Sequence, residues 1–237
     1  MADTDSQAQG IDVSHYQGTV NWTEVAASGV VFAFAKATDG ITYVDPQFSV
    51  NWPAMLSVGL LRGAYHFYEP ADDPTSQAQH YLSNVTLEAG DLPPVLDVEI
   101  TGGVSSTQLW SGVATWLQTV QTATGRQPLL YISPGFWSDN SPDPTLTGYP
   151  LWLADYASTP KLPEGWSTWQ FWQHSQTGTV PGVSTSVDLD LFNGTLVQLQ
   201  QWLEPSMTPA ATSTTATADT TTATHRFRRS NRPLGSS

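Results

Sequence analysis

Val30-Val31-Phe32-Ala33-Phe34-Ala35 is an unbroken run of six apolar residues, followed by Lys36, Ala37, Thr38, Asp39 and Gly40. It is rich in β-branched and aromatic residues and too short for a buried helix. It therefore reads as a strand covered on both faces, as in parallel sheets. A second run of this kind is Leu129-Leu130-Tyr131-Ile132. Outward from these two, the same reading predicts strands at Gly10 to Ser14, Val30 to Ala37, Leu61 to Phe67, Val95 to Glu99, Pro128 to Ser133, Leu151 to Tyr156, Thr168 to His174 and Val187 to Phe192. Helical patterns lie between the early ones. Asn21 to Ser28 is opened by the capping pair Asn21 and Glu24, and Asp45 to Val58 is kinked or divided by Pro53. Thr75 to Leu87 follows, then Thr107 to Ala123, opened by Ser105 or Ser106, and Leu196 to Leu203 closes the series.

Alternating strands and helices predict an α/β fold with a parallel sheet. The last three strands are joined by stretches too short or too rich in Gly and Pro for full helices. The pattern fits an incomplete (β/α) barrel, with an open doubly wound sheet as the alternative. No phosphate-binding glycine fingerprint follows the first strand, which counts against a nucleotide-binding sheet.

Composition narrows the function. The 237 residues carry 21 acidic and 8 basic side chains, a net charge of −13, which excludes a basic nucleic-acid binder as the first expectation. Cysteine is absent, so disulfides, thiolate zinc sites and cysteine nucleophiles fall away together. No apolar run is long enough to cross a membrane, and the first residues show no signal-peptide pattern. The charge is uneven: residues 1–204 hold 20 acidic against 4 basic side chains, a net −16, and residues 205–237 are net +3. Of the 19 residues from Ser206 to Thr224, 14 are Thr or Ala, too few apolar groups to offset ordering entropy. The expected organisation is a short extension at 1–9, a catalytic domain at 10–204, and a disordered Thr/Ala-rich linker with a basic tail at 205–237.

In such a barrel the active site lies at the C-terminal ends of the strands. Those ends deliver Asp12, Lys36 and Asp39, Tyr65, the pair Asp97 and Glu99, Tyr131, Trp152 and Asp155, Gln173, and Asp188 and Asp190. Residues two apart on a strand point the same way, about 6.5 Å apart at ~3.3 Å per residue. Asp97 and Glu99 would thus form a carboxyl pair suited to cleaving a glycosidic bond, one member protonated and the other anionic. Alone, an Asp-x-Glu motif equally suits a structural acid pair bonded to backbone amides or to Lys36. The company of Tyr65, Tyr131, Trp152 and Tyr156 favours the first reading, because aromatic faces suit sugar rings. Trp22, Trp52, Trp110, Trp116 and Trp202 fall on helices and are expected to pack. The histidines His15, His66, His80 and His174 are scattered, and neither a zinc-binding His pattern nor a serine nucleophile elbow occurs, so no metal or cofactor is expected.

These residues resemble the glycoside hydrolases of family 25, the Chalaropsis-type lysozymes. The likeness is carried by Gly10-Ile11-Asp12-Val13-Ser14-His15-Tyr16-Gln17-Gly18, Phe34-Ala35-Lys36-Ala37-Thr38-Asp39-Gly40, Gly63-Ala64-Tyr65-His66-Phe67 and Pro94-Val95-Leu96-Asp97-Val98-Glu99. Leu151-Trp152-Leu153-Ala154, Trp169-Gln170 with Trp172-Gln173, and Val187-Asp188 with Asp190 and Phe192 continue it in order. The resemblance implies a modified barrel of about five β/α units followed by three further strands. It also implies an N-acetylmuramidase that hydrolyses the β-1,4 bond between N-acetylmuramic acid and N-acetylglucosamine in bacterial peptidoglycan. Glu99 matches the general acid/base, Asp97 its partner carboxylate, and Asp12 and Asp188 two further catalytic acids, with Asp190 the alternative to Asp188. Tyr65, Lys36, Tyr131, Trp152 and Gln173 fall in motifs that bind substrate. The expected enzyme retains anomeric configuration, works as a monomer without nucleic acid or membrane insertion, and acts outside the cell or on the wall. A chitinase-like hydrolase and a non-catalytic wall-binding module are the rival readings.

Overall fold

A computed structural model describes residues 6–204 and turns each apolar run into a strand of one sheet. In chain order these are β1 (Gln9–Val13), β2 (Phe32–Asp39), β3 (Tyr43–Val44), β4 (Leu61–Phe67), β5 (Val95–Asp97), β6 (Leu129–Ile132), β7 (Leu151–Ala154), β8 (Phe171–Gly178) and β9 (Val187–Phe192). Eight of them close into a ring, β1, β2, β4, β5, β6, β7, β8, β9 and back to β1, while β3 forms a two-residue hairpin with the end of β2. From β1 round to β8 neighbours run parallel; β9 is antiparallel to both β8 and β1. Closure through β1 removes the open-sheet alternative. The helices are α1 (Trp22–Ala27), α2 (Phe48–Ser57), α3 (Pro74–Asn84), α4 (Ser106–Thr124), α5 (Pro134–Asp139) and α6 (Leu196–Leu203). The first five complete β/α units on β1, the β2–β3 hairpin, β4, β5 and β6, and β7, β8 and β9 follow, as the family resemblance implies.

Strand β2 shows why the apolar runs are continuous. Phe32 and Phe34 belong to the barrel interior with Val95, Leu129, Trp152, Phe171 and Phe192; the alternate residues Ala33, Ala35 and Ala37 pack in the outer layer with Val113, Trp116 and Leu117 of α4. Large residues fill the barrel and small ones let helices approach, which is alternation by size on a strand buried on both faces. The Phe34 and Trp152 rings stack at 4.2 Å. Strand positions Gly10 and Gly63 are kept empty by the same packing: a methyl group there would overlap the Phe32 and Phe34 rings respectively. Near the start of β4, Arg62 is buried in a pair with Asp91 (Nε to Oδ1, 2.8 Å) and lies 4.0 Å above the Trp52 ring.

The helix ends follow their caps. Asn21 accepts from the Glu24 amide, Ser105 from Gln108, and α4 stops at Gly125 in the left-handed conformation (φ 68°). Pro53 does not divide α2. It sits on the exposed side with Ser49, so the carbonyl that loses its helical partner can be hydrated. Helix α5 is absent from the sequence reading, which carries the preceding strand through Ser133. Ser133 instead caps that helix, accepting from the Phe136 amide with Pro134 at the first helical position. The Thr/Ala-rich segment and the basic tail lie outside the described residues, whereas Ala8 is buried and Gln9 already pairs with Leu191.

Candidate active site

The alternation that sends aromatics into the barrel sends polar side chains inward one layer further along each strand. Two residues after Gly10, Gly63, Val95, Leu129 and Phe171 come Asp12, Tyr65, Asp97, Tyr131 and Gln173. With Glu99, Trp152 and Asp188 they line a cavity of about 200 Å³ at the C-terminal mouth of the barrel. Of the nine residues expected in the site, Lys36 alone lies outside this lining. Its ammonium is 2.7 Å from Asp39 and 4.5 Å from the centre of the Phe67 ring, so an acid on its own strand holds it. Two lining residues were not assigned to the site from sequence. Tyr156 counts in the sequence only among the strand-end aromatics whose faces suit sugar rings. Gln176 lies beyond the expected end of β8, which runs to Gly178 with register shifts after Gln173 that no sequence spacing reveals.

The carboxyl pair is asymmetric. Strand β5 ends at Asp97, which is 6% exposed, and Glu99 stands past that end, exposed at the mouth. Burial first, then the Glu99 charge, raise the Asp97 carboxyl well above the usual aspartate range, with Lys36 pulling the other way. Asp97 Oδ1 is buried with no hydrogen-bond donor facing it. Such an acceptor is costly to leave unmet.

Opposite stands a second acidic group, set by the antiparallel closure of β1 on β9. Asp12 faces Asp188, and Asp190 faces Gly10. Asp12 is raised well above its ordinary value by burial and then by Asp190 and Asp188, against a hydrogen bond from Gln173 Nε2 at 2.7 Å. Asp188 is pushed up to about 6 and Asp190 to about 8, in both cases chiefly by burial. The structure separates these two: Asp188 lines the cavity, whereas Asp190 lies outside the lining, accepting from Trp152 Nε1 at 2.8 Å. Gln173 joins the two sides. Its Oε1 accepts from the hydroxyls of Tyr131 and Tyr156, each at 2.8 Å, while its amide nitrogen donates to Asp12.

The remaining candidates pack. His66 is buried between Thr38 (2.8 Å) and Gln77 (3.1 Å), stacks on Trp116, and is kept neutral by burial, its value lowered to about 3. Trp22, Trp110 and Trp116 are buried, Trp52 lies under Arg62, and Trp202 packs on Phe171 and Phe192. Among the described residues no three His, Asp or Glu side chains are arranged to hold a metal ion, and no helix is long and apolar enough to cross a membrane.

The chain is similar to several known proteins. The model of the family described as glycosyl hydrolases family 25 matches residues 11–183. Lysozyme M1 of Streptomyces globisporus is 39% identical over 217 residues, covering 84% of this chain and 71% of the relative. The N,O-diacetylmuramidase of Chalaropsis sp is 31% identical over 202 residues, covering 78% of this chain and 96% of the relative. The crystal structure of the bacterial lysozyme from Streptomyces coelicolor superimposes with a TM-score of 0.78 at 37% identity, covering 84% of this chain and 97% of that one.

Proposed function

This chain belongs to the glycosyl hydrolases of family 25 and is a glycoside hydrolase of the muramidase type acting on peptidoglycan; from that premise we propose that it cleaves the β-1,4 bond between N-acetylmuramic acid and N-acetylglucosamine with retention, using Glu99 as acid/base and Asp97 to orient the substrate's 2-acetamido group. The observation that carries this assignment is the asymmetric pair, an exposed Glu99 beside a buried Asp97 whose Oδ1 has no donor. An acetamido N–H donating to Asp97 favours the charged form of Asp97, and Glu99 supplies the proton that the leaving group needs.

The acetamido oxygen then attacks the anomeric carbon as the glycosidic C–O bond breaks. The bonding pair goes to the leaving oxygen, which takes the proton from Glu99. Asp97 holds the N–H of the resulting oxazolinium ion. In the second half Glu99 removes a proton from water, the water oxygen bonds to the anomeric carbon from the vacated face, and the acetamido C–O bond breaks, which restores the acetamide and the starting anomer. Tyr65 and Trp152 form walls for the sugar, and Gln173 fixes Tyr131, Tyr156 and Asp12 around it. Asp12 and Asp188 face the reacting ring from the opposite side. We take residues 10–204 as the catalytic unit, acting as a monomer outside the cell or at the wall.

The test is Glu99→Gln. Its exposed position predicts unchanged thermal unfolding, and loss of general acid/base catalysis predicts a fall of roughly 10² to 10⁴ in turnover of bacterial walls. Substantial residual turnover would remove Glu99 from its role. An inverted anomer in NMR of fresh product would rule out acetamido participation, and cleavage of chitin oligomers in preference to walls would overturn the substrate.

A further inference from the structure

Among the described residues three aromatic side chains are exposed, Tyr16 (77%), Tyr43 (40%) and Tyr156 (48%), and all three stand at the C-terminal ends of barrel strands, the end on which the cavity opens. Tyr156 follows the end of β7 and lines the cavity itself. Tyr16 lies in the single helical turn His15–Gln17 that follows Asp12 and the end of β1, and Tyr43 lies in β3, hydrogen-bonded to the end of β2 at Asp39. Elsewhere the fold buries or half-buries every aromatic ring it describes.

The Tyr16 and Tyr43 side of the rim is built rather than loose. Asp45, 2% exposed, accepts from the His15 backbone amide (3.0 Å) and lies 2.8 Å from His15 Nδ1 through the same Oδ2, while its Oδ1 accepts from the Gln47 amide. The Tyr43 hydroxyl is 3.2 Å from His15 Nδ1, and the Tyr43 carbonyl is 2.9 Å from His80 Nε2. Tyr16 then lies over the His15 ring, with centroids 4.1 Å apart at 35°. A buried carboxylate thus anchors an imidazole under an exposed phenol ring. Ile41 and Val44, also exposed, extend the apolar surface beside Tyr43. A contiguous exposed apolar patch rimmed by polar groups marks a binding surface. Tyr43 also lies 5.7 Å from the Lys36 ammonium, so the patch runs up to the C-terminal end of β2.

The occupant follows from size. The central cavity, about 200 Å³, is below the roughly 300–1,000 Å³ of sites that engulf a drug-sized ligand. A pocket of this size takes a small part of a polymeric substrate, so the rest must lie across the rim. We infer that Tyr16 and Tyr43, braced by His15 and Asp45, form an outer subsite on the β1–β2 side of the mouth that stacks against a pyranose ring of the glycan strand beyond the sugar in the central cavity. This rests on the muramidase reading above and adds where the distal part of the chain is held. Binding energy gathered there serves long chains and is lost on short ones.

The test compares wild type, Tyr16→Ala and Tyr16→Phe on glycan chains freed of stem peptides, in short and long fractions. Tyr16 makes no side-chain hydrogen bond among the described residues and is exposed, so the variants keep the thermal unfolding of the wild type. Tyr16→Ala is expected to raise KM on long chains roughly two- to tenfold, the worth of one aromatic stack, with kcat on long chains and both constants on short oligomers unchanged. Tyr16→Phe, which keeps the ring, restores the long-chain KM. His15→Ala, which frees the ring without removing it, is expected to fall between. Equal behaviour of Tyr16→Ala and wild type on both fractions overturns the subsite, as does an equal loss on both. A defect seen on intact walls and absent on peptide-free glycan also overturns it and assigns the surface to stem peptide. Wild type that cleaves none of these substrates refutes the muramidase reading itself, a result distinct from the others.

Discussion

Replacing Asp190 by asparagine is expected to make the protein more stable, and more so as pH rises. Asp190 is 1% exposed, with an ordinary value of 3.8 raised to about 8 in the fold. Its folded value lies above its unfolded value, so its contribution is fully present below about pH 4 and is lost as pH climbs toward 8. At neutral pH the folded chain keeps a proton that the unfolded chain has released. Holding that proton costs about 1.4 kcal/mol per pH unit above the unfolded value, about 4 kcal/mol at pH 7. Asparagine removes this cost and keeps the geometry, since its carbonyl can still accept from Trp152 Nε1. The other Asp190 oxygen now has no donor, and an amide nitrogen there could donate toward the neighbouring Asp12. Because Asp12 shares the same buried region and keeps its own penalty, a gain on the order of 2–4 kcal/mol at pH 7 is expected, shrinking to near zero by about pH 4. Urea unfolding followed by tryptophan fluorescence at the two pH values, with equal m-values, measures it. An Asp190→Asn variant no more stable than wild type at pH 7, or one whose gain is the same at both, would refute the argument that burial holds this carboxyl protonated.

Two further outcomes follow from the packing. Gly10→Ala places a methyl group in the Phe32 ring inside a closed barrel, so urea unfolding should show a loss of about 1–3 kcal/mol or more; a neutral variant would mean the interior can yield at β1. Gln173→Leu leaves the buried Tyr131 hydroxyl without its acceptor and Asp12 without its donor. It should cost about 1–3 kcal/mol and move the Asp12 carboxyl further up, readable by carboxyl NMR, because the lost hydrogen bond is the one that lowers it. An unchanged Asp12 titration would show that Gln173 does not hold it.

Much of this protein is legible along the chain because the relevant physics is local. The run from Val30 to Ala35 announces a strand buried on both faces, Asn21 and Ser105 announce their helices, and the order of strands and helices narrows the fold to an incomplete barrel or an open doubly wound sheet. The positions Asp12, Tyr65, Asp97, Tyr131, Gln173 and Asp188 could be named because a barrel exposes its strand ends. The missed helix α5 was legible too: Ser133-Pro134 is a cap and a first-turn proline, read instead as the end of a strand.

What only the tertiary structure decided comes from groups distant in sequence meeting in a medium that cannot solvate them. Closure of β9 on β1 sets Asp12 against Asp188 and places Asp190 behind Trp152, and burial there, more than any residue's identity, raises their affinity for protons. The same holds for Arg62 and Asp91, a buried pair across 29 positions, and for Asp45, which reaches back 30 positions to brace His15 under the exposed Tyr16. Lys36 shows the converse, a residue named from its motif whose charge is taken up by Asp39 only because a register shift in β2 brings the two together. Amino-acid type and spacing determine which side chains a strand end can offer. Which of them face water, a partner or an empty cavity is settled by desolvation and packing, and these exist only once the barrel has closed.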